Sequence, residues 1–293
     1  MNRLSSILWV IAFIFLGIFA VQKISTNFFL FADKVAVVEP IPQVLNVASP
    51  NSSMPGPLKA TSTRPTSSRQ SATISARDVI TFTNKERVRA GLAALGENTI
   101  LDQAALYKAK DMLKRKYFAH VAPDGETMST IATREGYAYL VVGENLALGD
   151  FSTAASLVDA WMNSPGHRAN ILNGSYREIG VAVAQGIYEG QLSIVSVQVF
   201  ATPRSVCPIV DATIKTRLDA QEAALTAAHK TLDTLKGELE SLRSTDPDLY
   251  NQKVSEFNAR VADYNNFVER QKQEVAEYNK TVTATNKCIQ VLQ

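Results

Sequence analysis

The order of apolar and polar positions divides the chain into four segments. The first is an apolar run from residue 4 to residue 21, in which only Ser5 and Ser6 are polar. At about 1.5 Å per helical residue, such a run approaches the thickness of about 30 Å of a hydrocarbon core. With the apolar patch at 28–32, residues 4–32 are predicted to form a transmembrane anchor. A cleaved signal peptide is the alternative, and both readings place the rest of the chain outside the cytoplasm.

The second segment, residues 39–75, is rich in proline, serine and threonine and has almost no large apolar side chains after Val47. It buries too little apolar surface to offset the loss of chain entropy on folding. We therefore predict a disordered, semi-extended linker that holds the next domain away from the membrane.

The third segment, residues 76–203, mixes two periodicities. Apolar residues recur at helical spacing in several stretches, and the predicted helix starts are Ser75, Thr99, Thr127 and Ser152. Residues 178–185 and 191–201 instead alternate between apolar and polar positions, which is typical of an antiparallel hairpin. Helices that are separated from a small sheet indicate the α+β class.

The fourth segment, residues 211–290, carries a heptad repeat on two arms around Pro247, where a helix must stop. Apolar residues recur at alternating steps of four and three, which predicts an antiparallel coiled-coil hairpin. Pairing Leu242 with Tyr250 also brings Gln221 opposite Gln271, the two polar interruptions of the seam. A polar pair of this kind fixes the register of the two arms.

Two cysteines, Cys207 and Cys288, lie just before the first arm and near the end of the second. The hairpin brings these positions to similar levels, so a disulfide would fasten the open end of the hairpin to the foot of the preceding domain. Such a bond suits an extracytoplasmic protein. Two unrelated free thiols are the alternative.

Charge and composition exclude some classes of function. The net charge of +2 gives no indication of nucleic-acid binding, and neither cysteine lies in a CxxC motif. The chain contains three histidines. His229 lies on the first arm of the hairpin, away from the seam, so the candidates for site chemistry are His120 and His167.

Several ordered motifs in residues 75–202 resemble the CAP superfamily, which contains the cysteine-rich secretory, antigen-five and pathogenesis-related proteins. The motifs, in chain order, are FAHVAPDG, GENLALG, AWMNSPGHRANIL and EIGVAVA. They are most similar to the bacterial secreted branch. The resemblance implies an α-β-α sandwich with a central cleft, and it extends neither to the linker nor to the hairpin.

In many members of that family, two histidines and two glutamates line the cleft and can bind zinc or another divalent metal. By position, the resemblance assigns His120, Glu144 and His167 to three of these places, and Ser164 stands where the second glutamate is expected. Two imidazoles and one carboxylate still suffice for zinc with an open fourth position. We expect these groups to converge in one hollow that faces water.

Each candidate residue also has a structural reading. Ser164 before Pro165 is predicted to be a helix N-cap, which would place His167 on the first helical turn. Both histidines can be hydrogen-bonded structural residues. Glu144 can accept hydrogen bonds from the imidazoles and so fix their tautomers.

Three functions remain open on this basis. The first is a membrane-anchored or secreted module that binds a cell-envelope ligand or protein partner in the cleft, with or without metal. The second is a metal-dependent, protease-like hydrolase that uses His120, Glu144 and His167. The third is an envelope scaffold that acts through the coiled coil. The resemblance does not decide whether the protein is an enzyme.

Overall fold

A computed structural model describes residues 37–40, 56–59 and 74–292, and these form two compact units. One unit contains the described residues among 40–209 together with 284–292. The other contains 37–39 and 210–283. The described part holds five strands and seven α-helices.

The first unit is an α+β domain built on one five-stranded sheet. Its strands, in the order β1-β3-β5-β4-β2 across the sheet, are β1 (Leu58–Lys59), β2 (Gly96–Glu97), β3 (Tyr139–Gly149), β4 (Glu178–Tyr188) and β5 (Gln191–Pro203). The central pairs are antiparallel, and β4 joins β5 through the turn at Glu189 and Gly190, as the alternating pattern predicts. The short strands β1 and β2 add parallel pairings at the two edges.

Helices cover both faces of this sheet. They are α1 (Ala76–Arg89), α2 (Thr99–Arg115), α3 (Met128–Arg134), α4 (Ala154–Met162) and α5 (Pro165–Ile171). Successive residues of β5 point to opposite faces: Phe200 packs in a core with α1, α4 and α5, whereas Val199 packs in a second core with α2 and α3. The predicted α+β class is confirmed, and two cores lie on the two sides of the sheet.

Local signals set most helix ends. Ser75 caps α1, and Thr127 caps α3 through a reciprocal capping box. The predicted cap of α4 is wrong by one residue. Thr153 accepts from the backbone N–H of Ser156, and Ser156 reaches back to Thr153 in the same way, so this pair forms the capping box that Ser152 was expected to provide.

A disulfide joins Cys207 to Cys288 within the first unit, so the predicted bridge is confirmed. The Thr285 hydroxyl also donates to the carbonyl of Pro208 (2.9 Å), and Ile289 and Leu292 pack in the core beside α1 and α4. The end of the last helix is therefore part of this domain.

The second unit is an antiparallel pair of helices, α6 (Ala212–Leu242) and the part of α7 (Pro247–Leu292) up to residue 283. Buried seam residues recur every seven positions: Leu218, Leu225, Leu232, Leu239 on α6, and Val261, Val268, Val275, Val282 on α7. Arg217 pairs with Glu274 and Lys253 with Glu238, which places the two arms in opposite directions. Supercoiling of this hairpin stays a prediction.

One detail of the predicted pairing between the arms differs. The Gln221 side-chain amide donates to Glu274 (2.9 Å) instead of pairing with Gln271. A carboxylate at the rim is a stronger acceptor than a second amide, and Arg217 holds it in place.

Parts of the predicted disordered linker are ordered. Leu58 and Lys59 pair with Ala147 and Leu148, because the edge of β3 offers backbone groups that need partners. Within the hairpin unit, Glu39 at the start of the linker pairs with Lys215 (3.3 Å), and just before the linker the backbone N–H of Val38 donates to Asn279 (2.8 Å). The predicted anchor at 4–32 and the rest of the linker lie outside the described residues. In the part that is described, no helix is both long enough and apolar enough to cross a membrane.

Candidate functional site

His120 lies in the loop between α2 and α3. The α2 helix ends at Lys116 in the left-handed conformation (φ 56°), which turns the chain back towards the sheet. The following Pro-Asp-Gly turn closes through Gly125, whose positive φ of 88° suits glycine, and its N–H donates to the carbonyl of Ala122. The His120 side chain is buried between these two features.

Glu144 lies in β3, and the residue before it must be glycine. A Cβ atom at Gly143 would lie 2.1 Å from the hydroxyl oxygen of Tyr176, a buried residue that stacks on Phe200. On one side β5 pairs with Glu144 through Val199, whereas β1 on the other side reaches only Ala147 and Leu148. Glu144 therefore lies on a stretch of β3 that β1 leaves unpaired.

His167 lies in the first turn of α5, which begins with Ser164 as the N-cap residue and Pro165 at the first helical position. The predicted capping bond of Ser164 is absent. Its hydroxyl instead bonds the ring Nδ1 of His167 at 2.8 Å. Ser164 thus orients the imidazole, and the other ring nitrogen, Nε2, points away from this contact.

The structure brings the three predicted residues together. His120 Nδ1 bonds Glu144 Oε1 at 2.8 Å, and His120 lies close enough to His167 to oppose its protonation. They do not face water, because the exposed fractions are 7% for His120, 4% for Glu144 and 1% for His167. The expectation that these side chains face water is therefore wrong in this structure.

Two polar atoms of this cluster are buried without a hydrogen-bond partner, Glu144 Oε2 and His167 Nε2. Leaving such an atom unpaired costs about 1–3 kcal/mol, and more for a charged group. Burial lowers the pKa of His167 to about 4, and the neighbouring His120 adds to that effect. At neutral pH the His167 ring is therefore uncharged, with one nitrogen held by Ser164.

A lysine completes the surroundings of the cluster. Lys108 on α2 is fully buried, and its Nζ donates to the backbone carbonyl of His120 at 2.8 Å while lying 5.2 Å from the centre of the Tyr117 ring. Burial lowers the pKa of Lys108, and the nearby Glu144 carboxylate opposes that change. The buried groups of the site therefore include one carboxylate, two imidazoles and one amine.

A chain of buried amides lies behind Glu144 and His167. Asn170 Nδ2 donates to Glu144 O (3.1 Å) and to Asn145 Oδ1 (3.0 Å). Asn145 Nδ2 donates to His167 O and to Gln198 Oε1, both at 3.1 Å. Gln198 in turn donates to the hydroxyl of Thr83. All four amide hydrogens of Asn145 and Asn170 therefore have acceptors.

The metal set implied by the resemblance is not formed. Protein zinc sites take at least three protein ligands, whereas no group of three or more His, Cys, Asp or Glu side chains in the described ranges is arranged to hold one ion. His120 Nδ1 and Glu144 Oε1 are bound to each other, and Ser164 replaces the fourth ligand with a hydroxyl that contacts His167. The described residues therefore show no zinc centre, and metal binding stays a prediction.

Sequence reasoning missed several residues of the site. Lys108 lies on the inner stripe of α2, between Ala104 and Met112, and a lysine in an otherwise apolar stripe is a readable signal. Gln198 is likewise a polar residue between the apolar positions of β5. The sequence drew attention to Asn145 only as a neighbour of Glu144. Nothing in the local sequence predicts its contact with Asn170 on another element.

Comparison with known proteins agrees with this architecture. Residues 80–200 match the cysteine-rich secretory protein family, CAP, and this part of the chain is a CAP domain. The uncharacterized protein YkwD of Bacillus subtilis (strain 168) is 36% identical over 140 residues, which are 47% of this chain and 54% of YkwD. The uncharacterized membrane protein YlbC of the same organism is 30% identical over 116 residues, 40% of this chain and 33% of YlbC. The matched stretches thus span about half of YkwD and a third of YlbC.

Solved structures of similar proteins are also bacterial. An extracellular protein containing an SCP domain from Bacillus anthracis has a TM-score of 0.38 and 28% identity, covering 43% of this chain and 40% of its own. An outer surface protein from Borrelia burgdorferi has a TM-score of 0.38 and 20% identity, covering 43% of this chain and 91% of its own.

Proposed function

We propose that this protein is an extracytoplasmic CAP-domain module that binds a polar group of a cell-envelope component at the centre formed by His120, Glu144 and His167. The observation that carries the proposal is the pair of buried, unpartnered atoms, Glu144 Oε2 and His167 Nε2. A ligand that hydrogen-bonds to them removes a desolvation penalty that the free protein bears.

The burial of the centre limits what can bind. Because the three side chains are almost completely covered, the group that reaches them must be small, such as a hydroxyl or amide at the tip of a larger ligand. Glu144 Oε2 requires a hydrogen-bond donor if the carboxylate is ionised. A glycan hydroxyl meets both requirements.

The extracytoplasmic location has three supports. The disulfide between Cys207 and Cys288 suits an oxidising compartment. The apolar run at 4–21 predicts either a membrane anchor or an export signal. YlbC, a relative of the CAP domain, is described as a membrane protein. With an anchor, the bilayer would be a second partner of the chain.

The test is calorimetric titration of the full chain with three defined probes: N-acetylglucosamine oligomers, phosphatidylglycerol vesicles and zinc chloride. We expect the oligomers to bind and the Glu144→Gln substitution to weaken that binding by about tenfold or more. Glu126→Gln is the matched control, because Glu126 forms a surface ion pair with Arg134 in the same domain.

Three outcomes would overturn the proposal. One is that none of the probes binds. Another is oligomer binding that Glu144→Gln leaves unchanged. The third is tight zinc binding that His120→Ala and His167→Ala abolish, which would instead support the metal-dependent hydrolase.

A further inference from the structure

The three residues of the centre share a feature that does not involve their rings or carboxylate. In each of them, the residue's own backbone carbonyl accepts a hydrogen bond from a buried side chain. Lys108 Nζ donates to His120 O (2.8 Å), Asn170 Nδ2 to Glu144 O (3.1 Å) and Asn145 Nδ2 to His167 O (3.1 Å).

The donors are better suited to this task than surface residues. Lys108, Asn145 and Asn170 are at most 6% exposed, so water does not compete for their hydrogen bonds. Each donor also lies on a regular element, α2, β3 or α5, which limits its freedom to follow a moving loop. The backbone of each site residue is thereby fixed, while Glu144 Oε2 and His167 Nε2 stay available to a ligand.

Two of the three contacts are coupled. Asn170 Nδ2 donates to Asn145 Oδ1 as well as to Glu144 O, so a single amide joins the strand that carries Glu144 to the helix that carries His167. Asn145 continues the chain to Gln198 on β5. A displacement of α5 relative to β3 would break several of these bonds together.

We propose that Lys108, Asn145 and Asn170 are positioning residues that hold His120, Glu144 and His167 through their backbone carbonyls and so keep Glu144 Oε2 and His167 Nε2 apart and unpaired until a ligand binds. This inference rests on the proposed binding centre. It explains why two costly orphan atoms persist: if the backbone were free to move, the two groups would rotate towards partners or water.

The test is nuclear magnetic resonance of the ligand-free full chain, labelled with 15N in histidine and held at one neutral pH. The three histidines are assigned by single substitutions. In the wild type we expect a slowly exchanging ring N–H for His120, bonded to Glu144, and a single tautomer for His167. We expect Lys108→Met to accelerate exchange of the His120 ring proton by about tenfold or more. Asn170→Ala is expected to give a mixture of His167 tautomers.

Ser196→Ala is the matched control. Ser196 is a fully buried residue whose hydroxyl donates to a backbone carbonyl away from the centre, that of Ala182. The Ser196→Ala variant loses a hydrogen bond from a buried side chain to a backbone carbonyl, as the test variants do. The ring signals of His120 and His167 should nevertheless stay at their wild-type positions. Signals that change equally in Ser196→Ala and Asn170→Ala would show that the three donors act only through general stability, which overturns the proposal.

A second measurement does not depend on variants that fold. In the 13C,15N-labelled wild type, scalar couplings across hydrogen bonds should connect Asn145 Nδ2 to the His167 carbonyl and Asn170 Nδ2 to the Glu144 carbonyl. Their absence overturns the positioning role. Because every readout is taken without ligand, a failure here is distinct from a failure of the oligomers to bind, which would contradict the proposed function alone.

Discussion

The CAP domain and the helical hairpin both bury polar atoms that lack partners, but they do so in different surroundings. In the CAP domain the unpaired atoms belong to Glu144 and His167, two ionisable groups on different elements, and a network of satisfied amides surrounds them. In the hairpin they belong to Gln221, Asn258 and Asn265, which lie along a regular helix pair. The first arrangement carries the binding centre that we propose, whereas the second is expected to weaken the contact between the two helices.

The largest expected difference between the two regions is the effect of a Gly→Ala substitution on the free energy of unfolding. At Gly180, a Cβ atom would lie 2.2 Å from the backbone carbon of Leu101 and 2.4 Å from the backbone nitrogen of Asp102. We expect Gly180→Ala to lower the free energy of unfolding by about 4 kcal/mol, because α2 must move away from β4.

The hairpin provides the matched substitution. Gly237 lies within α6 with open space around it, so Gly237→Ala should raise the free energy of unfolding by about 1 kcal/mol. Urea unfolding of the full chain, followed by far-ultraviolet circular dichroism, measures both. Equal effects of the two substitutions would contradict the difference in packing.

The two regions should also differ in how their stability depends on pH. The unpaired atoms of the hairpin belong to amides, which do not titrate, whereas those of the CAP domain belong to ionisable groups. Burial lowers the pKa of His167 to about 4 from an ordinary 6.5, so the unfolded chain takes up a proton there before the folded one. His167 therefore leaves stability unaffected above pH 6.5, reduces it by roughly 3 kcal/mol as the pH falls to 4, and changes it little below that.

Unfolding free energies measured between pH 7 and pH 4 test this expectation. In the His167→Gln variant the pH dependence should be flatter by that amount. His120, which lies near the ring, and its partner Glu144 are retained in the variant, so a wild-type slope in His167→Gln would assign the dependence to them instead.

Replacing a buried asparagine by leucine should change the stability of the two regions in different directions. Asn145→Leu removes the amide that bonds His167 O, Gln198 Oε1 and one of the two N–H groups of Asn170 Nδ2, at an expected cost of about 2–3 kcal/mol. Asn265→Leu removes an amide oxygen that is already unpaired and adds buried apolar surface to the hairpin. It should be neutral or stabilise by about 1 kcal/mol. Chemical denaturation measures both, and a cost at Asn265 as large as that at Asn145 would remove the distinction.

The smallest expected effect distinguishes the two roles of Ser164. As a partner of the His167 ring it contributes about 1 kcal/mol, so Ser164→Ala should lower stability by that amount. The same variant should also change the His167 tautomer populations, as seen in its 15N ring shifts. If Ser164 acted as a helix cap, the loss of stability would occur with no change in the ring.

Most of the hairpin could be predicted from the sequence. Its periodic apolar positions lie on one face of each arm because the helical repeat is local, and Pro247 marks the break between the arms. Only the partner of Gln221 was wrong, because Glu274 lies beside the seam and is selected by the side-chain geometry of both arms. The bond between Cys207 and Cys288 also followed from the hairpin, since its two ends must meet.

The CAP domain was predictable only in part. The amino-acid order specified most helix starts, the β4–β5 hairpin and the α+β class, because turn chemistry and periodicity are local properties of the chain. Its motif order also specified, by resemblance, the three residues His120, Glu144 and His167. The packing of the layers in three dimensions determined that Ser164 contacts an imidazole, that Lys108 and the asparagines hold the site by its carbonyls, and that the centre is closed. These contacts join residues far apart in the sequence, and hydrogen bonds between distant elements depend on how the layers pack.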